Sequence, residues 1–134
     1  MSLEMTDQLK RHLSDTVAWL TTTSPTGRPS PRPVWFVLDG EDFLVFSEAG
    51  KAKLKHIETN PRVALHFNSA PDGQDVLVIS GRAEQTDSAL VPSTAPGYLD
   101  KYERHYARIG FDRDRFDRSY SVGIRITPVR SWGF

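Results

Sequence analysis

Residues 31–67 read PRPVWFVLDGEDFLVFSEAGKAKLKHIETNPRVALHF, and this stretch decides the fold. Two apolar runs, within 30–38 and 43–47, flank Asp39-Gly40-Glu41-Asp42. An Asp-Gly turn between β-prone runs predicts a hairpin. After Gly50 the apolar period lengthens. The spacing predicts a short basic helix over 51–59, with Leu54 and Ile57 facing inward and Asn60-Pro61 stopping it. Residues 63–67, VALHF, then read as a further strand.

Toward the N-terminus, 17–23 is rich in β-branched and aromatic residues and reads as a strand. Ser24-Pro25-Thr26-Gly27 is a turn. Pro29, Pro31 and Pro33 would interrupt a central ladder, so the start of the next extended segment belongs at an edge or a bulge. A short amphipathic helix opens the chain, with Thr6 as N-cap and Leu9 and Leu13 on one face. Toward the C-terminus, 70–74 is a turn and 76–84 a strand with Gly81 as a candidate bulge. Residues 87–109 read as mostly helical, broken around 92–97, and 112–117 as one more helical turn. Residues 120–127 alternate as a half-buried strand, and 128–134 form a tail. About six strands with hairpin-style connections predict a mainly β, antiparallel fold closed into a small barrel. A doubly wound α/β fold needs helices between nearly every strand pair.

The 134 residues suit one domain, 1–134. No apolar run reaches transmembrane length, and the polar start MSLEMTDQLKRHL is not a signal peptide, so no membrane partner and a cytoplasmic location are expected. The absence of cysteine excludes disulfides, thiolate metal sites and cysteine nucleophiles. His12, His56, His66 and His105 are scattered, and no metal site is expected. Lysine plus arginine equals aspartate plus glutamate, 17 each, which argues against a nucleic-acid binder working by bulk charge.

Lys51, Lys53 and Lys55 open the predicted helix at alternate positions. Cations there oppose the helix dipole and need another reason to be present. A bound phosphate is one, held by amide donors, the Ser47 hydroxyl and the Lys51 and Lys53 ammonium groups. The competing explanation is a solvated basic face paired with Glu48 and Glu58. Trp19 reads as core, Trp35 as core or ligand wall, and His66 as an ordinary strand residue. Tyr98, Tyr102 and Tyr106 form one helical stripe, for packing within the subunit or against a second copy, with a substrate wall as the alternative.

The segment 31–67 resembles the FMN-binding split β-barrel proteins related to pyridoxamine 5′-phosphate oxidase, and in particular their small deazaflavin-dependent branch. Its ordered pieces are Pro33-Val34-Trp35, the Asp39-Gly40 turn, a strand ending in Ser47, the Lys51-x-Lys53 helix start and Asn60-Pro61-Arg62-Val63. The TTTSPTGRP hairpin and the closing RSWGF match as well, so the likeness spans roughly 14–84 and 120–134. The resemblance implies a six-stranded antiparallel split barrel working as a homodimer, with cofactor at the interface. Arg32, Pro33, Val34 and Trp35 would run along the ring, Phe46 and Ser47 would approach the ribityl chain and phosphate, Lys51 and Lys53 would grip the phosphate, and Trp132 would lie near the cofactor. His56 stands where the family often has asparagine, and Lys51 where arginine is common.

The resemblance implies an oxidoreductase that transfers a hydride to or from a small molecule. The cofactor would be a 5-deazaflavin coenzyme, or alternatively FMN. Cofactor chemistry of this kind needs no nucleophile–base pair or carboxylate dyad, and no catalytic side chain is assigned. The short chain lacks the arginine-rich W-R-x-R-L ending of the oxidase proper. The alternative is a non-catalytic flavin, deazaflavin or haem carrier, with His56, His66 or His105 as candidate axial ligands. An oligonucleotide-binding barrel fits the strand count but lacks a basic excess and spaced stacking aromatics.

Overall fold

A computed structural model describes residues 3–134; Met1 and Ser2, at the head of the N-terminal stretch, lie outside the described residues. The strands are β1 (Ala18–Thr23), β2 (Pro29–Val34), β3 (Val37–Asp39), β4 (Asp42–Ser47), β5 (Arg62–His66), β6 (Leu77–Gln85) and β7 (Val122–Gly133). All pair antiparallel in one seven-stranded sheet of order β2-β1-β5-β6-β7-β4-β3. The two outermost strands, β2 and β3, follow one another in the chain, so the sheet curls into a half-barrel. The fold is mainly β with a few short helices: α1 (Asp7–His12), α2 (Ala52–Thr59), α3 (Tyr98–Tyr102) and α4 (Arg113–Ser119). Among the described residues, no helix is long and apolar enough to cross a membrane.

β4 is buried on both faces. Phe43 and Val45 point into the barrel core with Leu20, Phe36, Leu65, Ile79 and Ile124. Leu44 and Phe46 point the other way, under a second cluster of Tyr98, Tyr102, Tyr106 and Phe116. This explains why FLVF shows no polar alternation. α2 closes the barrel with Leu54 and Ile57, and the His56 Nδ1 hydrogen bond with the Thr22 hydroxyl (2.8 Å) ties it to β1.

The extended segment expected over 30–38 is two strands, which raises the count from six to seven. The break falls at Trp35 and Phe36, whose side chains enter different clusters. The Tyr102 hydroxyl accepts from the Phe36 amide (2.8 Å) and donates to the Thr16 carbonyl (2.8 Å), in place of ladder bonds. The three prolines lie on edge strand β2 at alternate positions, so a single side of that strand lacks donors.

The tail expected over 128–134 is strand. β7 runs on to Gly133, pairing with Leu77, and Phe134 exchanges two backbone hydrogen bonds with Val76 (2.9 Å each). Pro128 interrupts the pattern but not the pairing: Gly81 faces Pro128 while Ser80 faces Arg130, so Val129 bulges out of the ladder beside a residue that has no amide to offer. Gly81 is required there, since a Cβ would meet the Thr127 carbonyl oxygen at 2.8 Å. The segment expected to be mostly helical is shorter pieces: α3 and 3-10 turns at Pro92–Thr94, Glu103–His105 and Ala107–Ile109. The tyrosine stripe, if presented to a second copy, would be exposed; all three rings are buried within the subunit instead.

The N-terminal helix is anchored by charge. Thr6 caps α1, accepting from the Leu9 amide (3.1 Å). His12 is 5% exposed, stacks on Phe67 (4.9 Å) and faces Asp15 Oδ2 through Nδ1 (2.6 Å) and Asp75 Oδ1 through Nε2 (3.0 Å). Ionised carboxylate oxygens only accept, so both ring nitrogens carry protons and the ring is cationic. Burial pulls the His12 pKa down, but the hydrogen bonds to Asp15 and Asp75 and their charges outweigh it and raise it above 6.5. Asp75 is held below 3.8 by its hydrogen bonds to Gln8 and His12.

The stability His12 contributes is therefore fully present below pH 6.5 and is lost as pH rises through its raised value. That of Asp75 is present above pH 3.8 and is lost as pH falls through its lowered value. The melting temperature is expected to peak between these limits. His12→Gln should lower it by several degrees near pH 6 and flatten the alkaline limb. Circular dichroism melts across the pH range check this, and an unchanged alkaline limb contradicts it.

Candidate functional site

A groove of about 360 Å³ opens where the β2–β3 break, the end of β4, the start of α2 and the helical excursion meet. Pro33, Val34, Trp35, Phe46, Tyr98, Phe116 and Tyr120 line it, together with the charged side chains of Glu48, Lys51 and Lys53. The sequence folds locally to produce this arrangement. Gly50 takes φ +78, which lets the chain leave β4 and enter α2 at once. Lys51 occupies the N-cap position without a capping side-chain hydrogen bond.

Trp35 is half-buried and lies flat on Tyr102 (4.5 Å between ring centres) and near Phe116 (5.7 Å), so its plane is set from behind. Phe46 meets Tyr98 edge-on (5.3 Å). Beneath them, Lys101 donates to the Phe36 carbonyl (2.9 Å) and sits 3.6 Å over the Phe36 ring; burial lowers its pKa to about 8. Lys101 and Tyr102 together hold the backbone from which Trp35 projects.

The groove carries positive charge. The Lys53 pKa is lowered by burial and by the charges of Lys51 and Arg32, against a raising effect from Glu48. Crowded ammonium groups beside an open pocket favour an anion. Lys51 Nζ lies 3.3 Å from Glu48 Oε2, so part of this charge is met within the chain. Glu48 also faces Tyr120, whose pKa is raised by burial first and then by the Glu48 charge.

Of the residues carried over from the family resemblance, the structure brings Pro33, Val34, Trp35, Phe46, Lys51 and Lys53 together. Three do not line the groove. Arg32 is exposed on β2 and donates to the Pro31 carbonyl (2.7 Å), although its charge still reaches Lys53. Ser47 is 1% exposed, and its hydroxyl donates to the Glu48 carbonyl (2.8 Å) rather than into the groove. Trp132 pairs with Val78 on another part of the sheet, 62% exposed, beside Leu3 and Gln8. The tail is docked through its backbone, and its two aromatic side chains stay in solvent. None of His56, His66 and His105 lines the groove. His66 stacks on Trp19 (6.4 Å), and His105 is 3.0 Å from Arg108. Sequence reasoning missed Phe116 and Tyr120, whose four-residue spacing on one helical face was the available signal.

Two ammonium groups, an aromatic lining and a volume at the small end of ligand sites suit a planar ring carrying a phosphate. Residues 5–133 match the pyridoxamine 5′-phosphate oxidase family, and the chain belongs to that family. It is 36% identical over 80 residues to the pyridoxine/pyridoxamine 5′-phosphate oxidase of Rubrobacter xylanophilus. That stretch is 58% of this chain but 37% of the relative, so the chain matches little more than a third of its length. Among solved structures, an F420 reductase is similar with a TM-score of 0.70 and 23% identity, covering 92% of this chain and 94% of that one. A proposed pyridoxamine 5′-phosphate oxidase from Listeria innocua (TM-score 0.66, 21% identity, 96% and 97% covered) shares the fold. So does the haem storage protein HutZ of Vibrio cholerae (0.66, 15%, 98% and 95%).

The aromatic support behind Trp35 depends on one hydroxyl. Tyr102→Phe leaves the Phe36 amide and the Thr16 carbonyl unpartnered, and should destabilise the protein by about 1–3 kcal/mol. Urea denaturation measures this; a loss below about 0.5 kcal/mol contradicts the assignment.

Proposed function

We propose that this chain is an oxidoreductase that holds a phosphate-bearing flavin-type cofactor, a 5-deazaflavin coenzyme in preference to FMN, and exchanges a hydride with a small molecule. The observation that carries it is the meeting of Lys51 and Lys53 with the Pro33–Trp35 segment on one groove. Family membership supports flavin-type chemistry. The preference for a deazaflavin rests on the Gly50-Lys51-Ala52-Lys53 helix start, which resembles that branch. The cofactor supplies the hydride chemistry, and the protein supplies position and electrostatics. Lys51 and Lys53 neutralise the phosphate. Trp35, held by Tyr102, fixes the ring plane, and Phe46 with Tyr98 excludes water.

The groove is open to solvent along one side, so one copy covers part of a tricyclic ring. A homodimer with cofactor at the interface completes the cover in this proposal. Trp132 and Phe134, the most exposed large apolar side chains among the described residues and edge-to-face with one another (5.8 Å), would reach a partner's cofactor in this proposal.

Titration with FMN, a deazaflavin and riboflavin tests the assignment. Lys51→Ala with Lys53→Ala should weaken both phosphate-bearing ligands by about 1.5–3 kcal/mol per lysine and leave riboflavin nearly unchanged. Equal affinities before and after would refute the phosphate grip. Trp132→Ala should lower cofactor affinity or hydride-transfer rate without lowering the melting temperature, because its side chain packs little within the subunit. A lower melting temperature with normal binding makes the residue structural only. Sedimentation of the cofactor-loaded protein as a monomer at micromolar concentration would remove the shared site.

A further inference from the structure

Glu48 is the one carboxylate lining the groove. It stands two residues after Phe46, and its carboxylate lies 3.3 Å from Lys51 Nζ. It also faces Tyr120. Neither partner is deeply buried: the Glu48 side chain is 42% exposed and that of Lys51 56%. An ion pair this wet contributes little to stability. A like charge beside a bound phosphate is a cost that a protein built only for tight binding would shed.

We infer that Glu48 is a built-in counter-ion for the phosphate site, which an incoming phosphate must displace from Lys51. The inference rests on the assignment of the groove to a phosphate-bearing cofactor. Glu48 satisfies Lys51 and limits the cation crowding that depresses Lys53. On binding, the phosphate takes over Lys51 and meets Lys53, and the Glu48 side chain turns to solvent, which its exposure allows. Phosphate-bearing ligands therefore bind less tightly than the two lysines alone would permit.

The experiment compares FMN and riboflavin binding in wild type and Glu48→Gln. Glu48→Gln keeps size and hydrogen-bonding capacity and removes the charge. FMN should bind roughly three- to tenfold more tightly, with riboflavin changed by less than about twofold. The melting temperature should move little, and Glu48→Asp serves as a second variant that keeps the charge and should retain the wild-type FMN affinity within about twofold. Unchanged or weaker FMN binding in Glu48→Gln overturns the counter-ion role and makes Glu48 a positioning residue for Lys51 or a bystander. A wild-type protein that binds neither FMN nor a deazaflavin overturns the groove assignment, and this inference with it. Equal tightening for riboflavin also overturns it, since the effect would not act through the phosphate.

Discussion

A strand buried on both faces must be covered on both. β4 meets that demand on one side through the closed sheet and on the other through the aromatic cluster contributed by residues 98–116. A half-barrel alone would leave Leu44 and Phe46 facing water, at roughly 1.5–3 kcal/mol for each large side chain. The helical excursion between β6 and β7 supplies that cover. Where the cover stops short of α2, the groove opens. Site and fold thus have one origin, because the end of β4 leads from the second core directly into the Gly50 turn and the lysines.

The joint between β2 and β3 follows from the same demand. Trp35 must join the outer cluster and Phe36 the inner core, so the chain cannot continue as a flat strand there. Its amide is then met by the Tyr102 hydroxyl, and the Phe36 carbonyl by Lys101. A tyrosine and a lysine far along the chain do the work of a missing strand partner. That arrangement also sets the plane of Trp35, the side chain best placed to face a flat ring.

Charge in the groove is only partly balanced within the chain. Lys51 and Lys53 crowd one another with Arg32 nearby, and Glu48 answers them only in part. At the other end of the molecule the balance is close: His12 lies between two carboxylates, and Gln8 bridges Asp75, the Val76 carbonyl and the Phe134 carbonyl. There the charges join α1, the turn before β6 and the end of β7. The first set leaves room for a ligand, and the second leaves none.

Local chemistry was enough to read much of this from the amino-acid sequence. The Asp39-Gly40 turn, the period change after Gly50, the Thr6 cap, the edge prolines and the Gly81 irregularity all depend on neighbouring residues, and each is where the pattern puts it. The basic helix start marked the cationic end of the groove. Three-dimensional structure decided what local chemistry cannot carry. Pro128 reads as a strand breaker until Gly81 on the neighbouring strand makes room for a bulge. Ser47 reads as a phosphate contact, and only the folded structure shows its hydroxyl donating to the Glu48 carbonyl. Trp132 reads as a docked ring, whereas within the subunit backbone pairing and Gln8 hold the tail and the ring is exposed. Glu48, Tyr98, Phe116 and Tyr120 share a groove because the sheet curls and the excursion folds over β4. Contacts between residues fifty or more apart depend on that closure, and no local period or spacing encodes it.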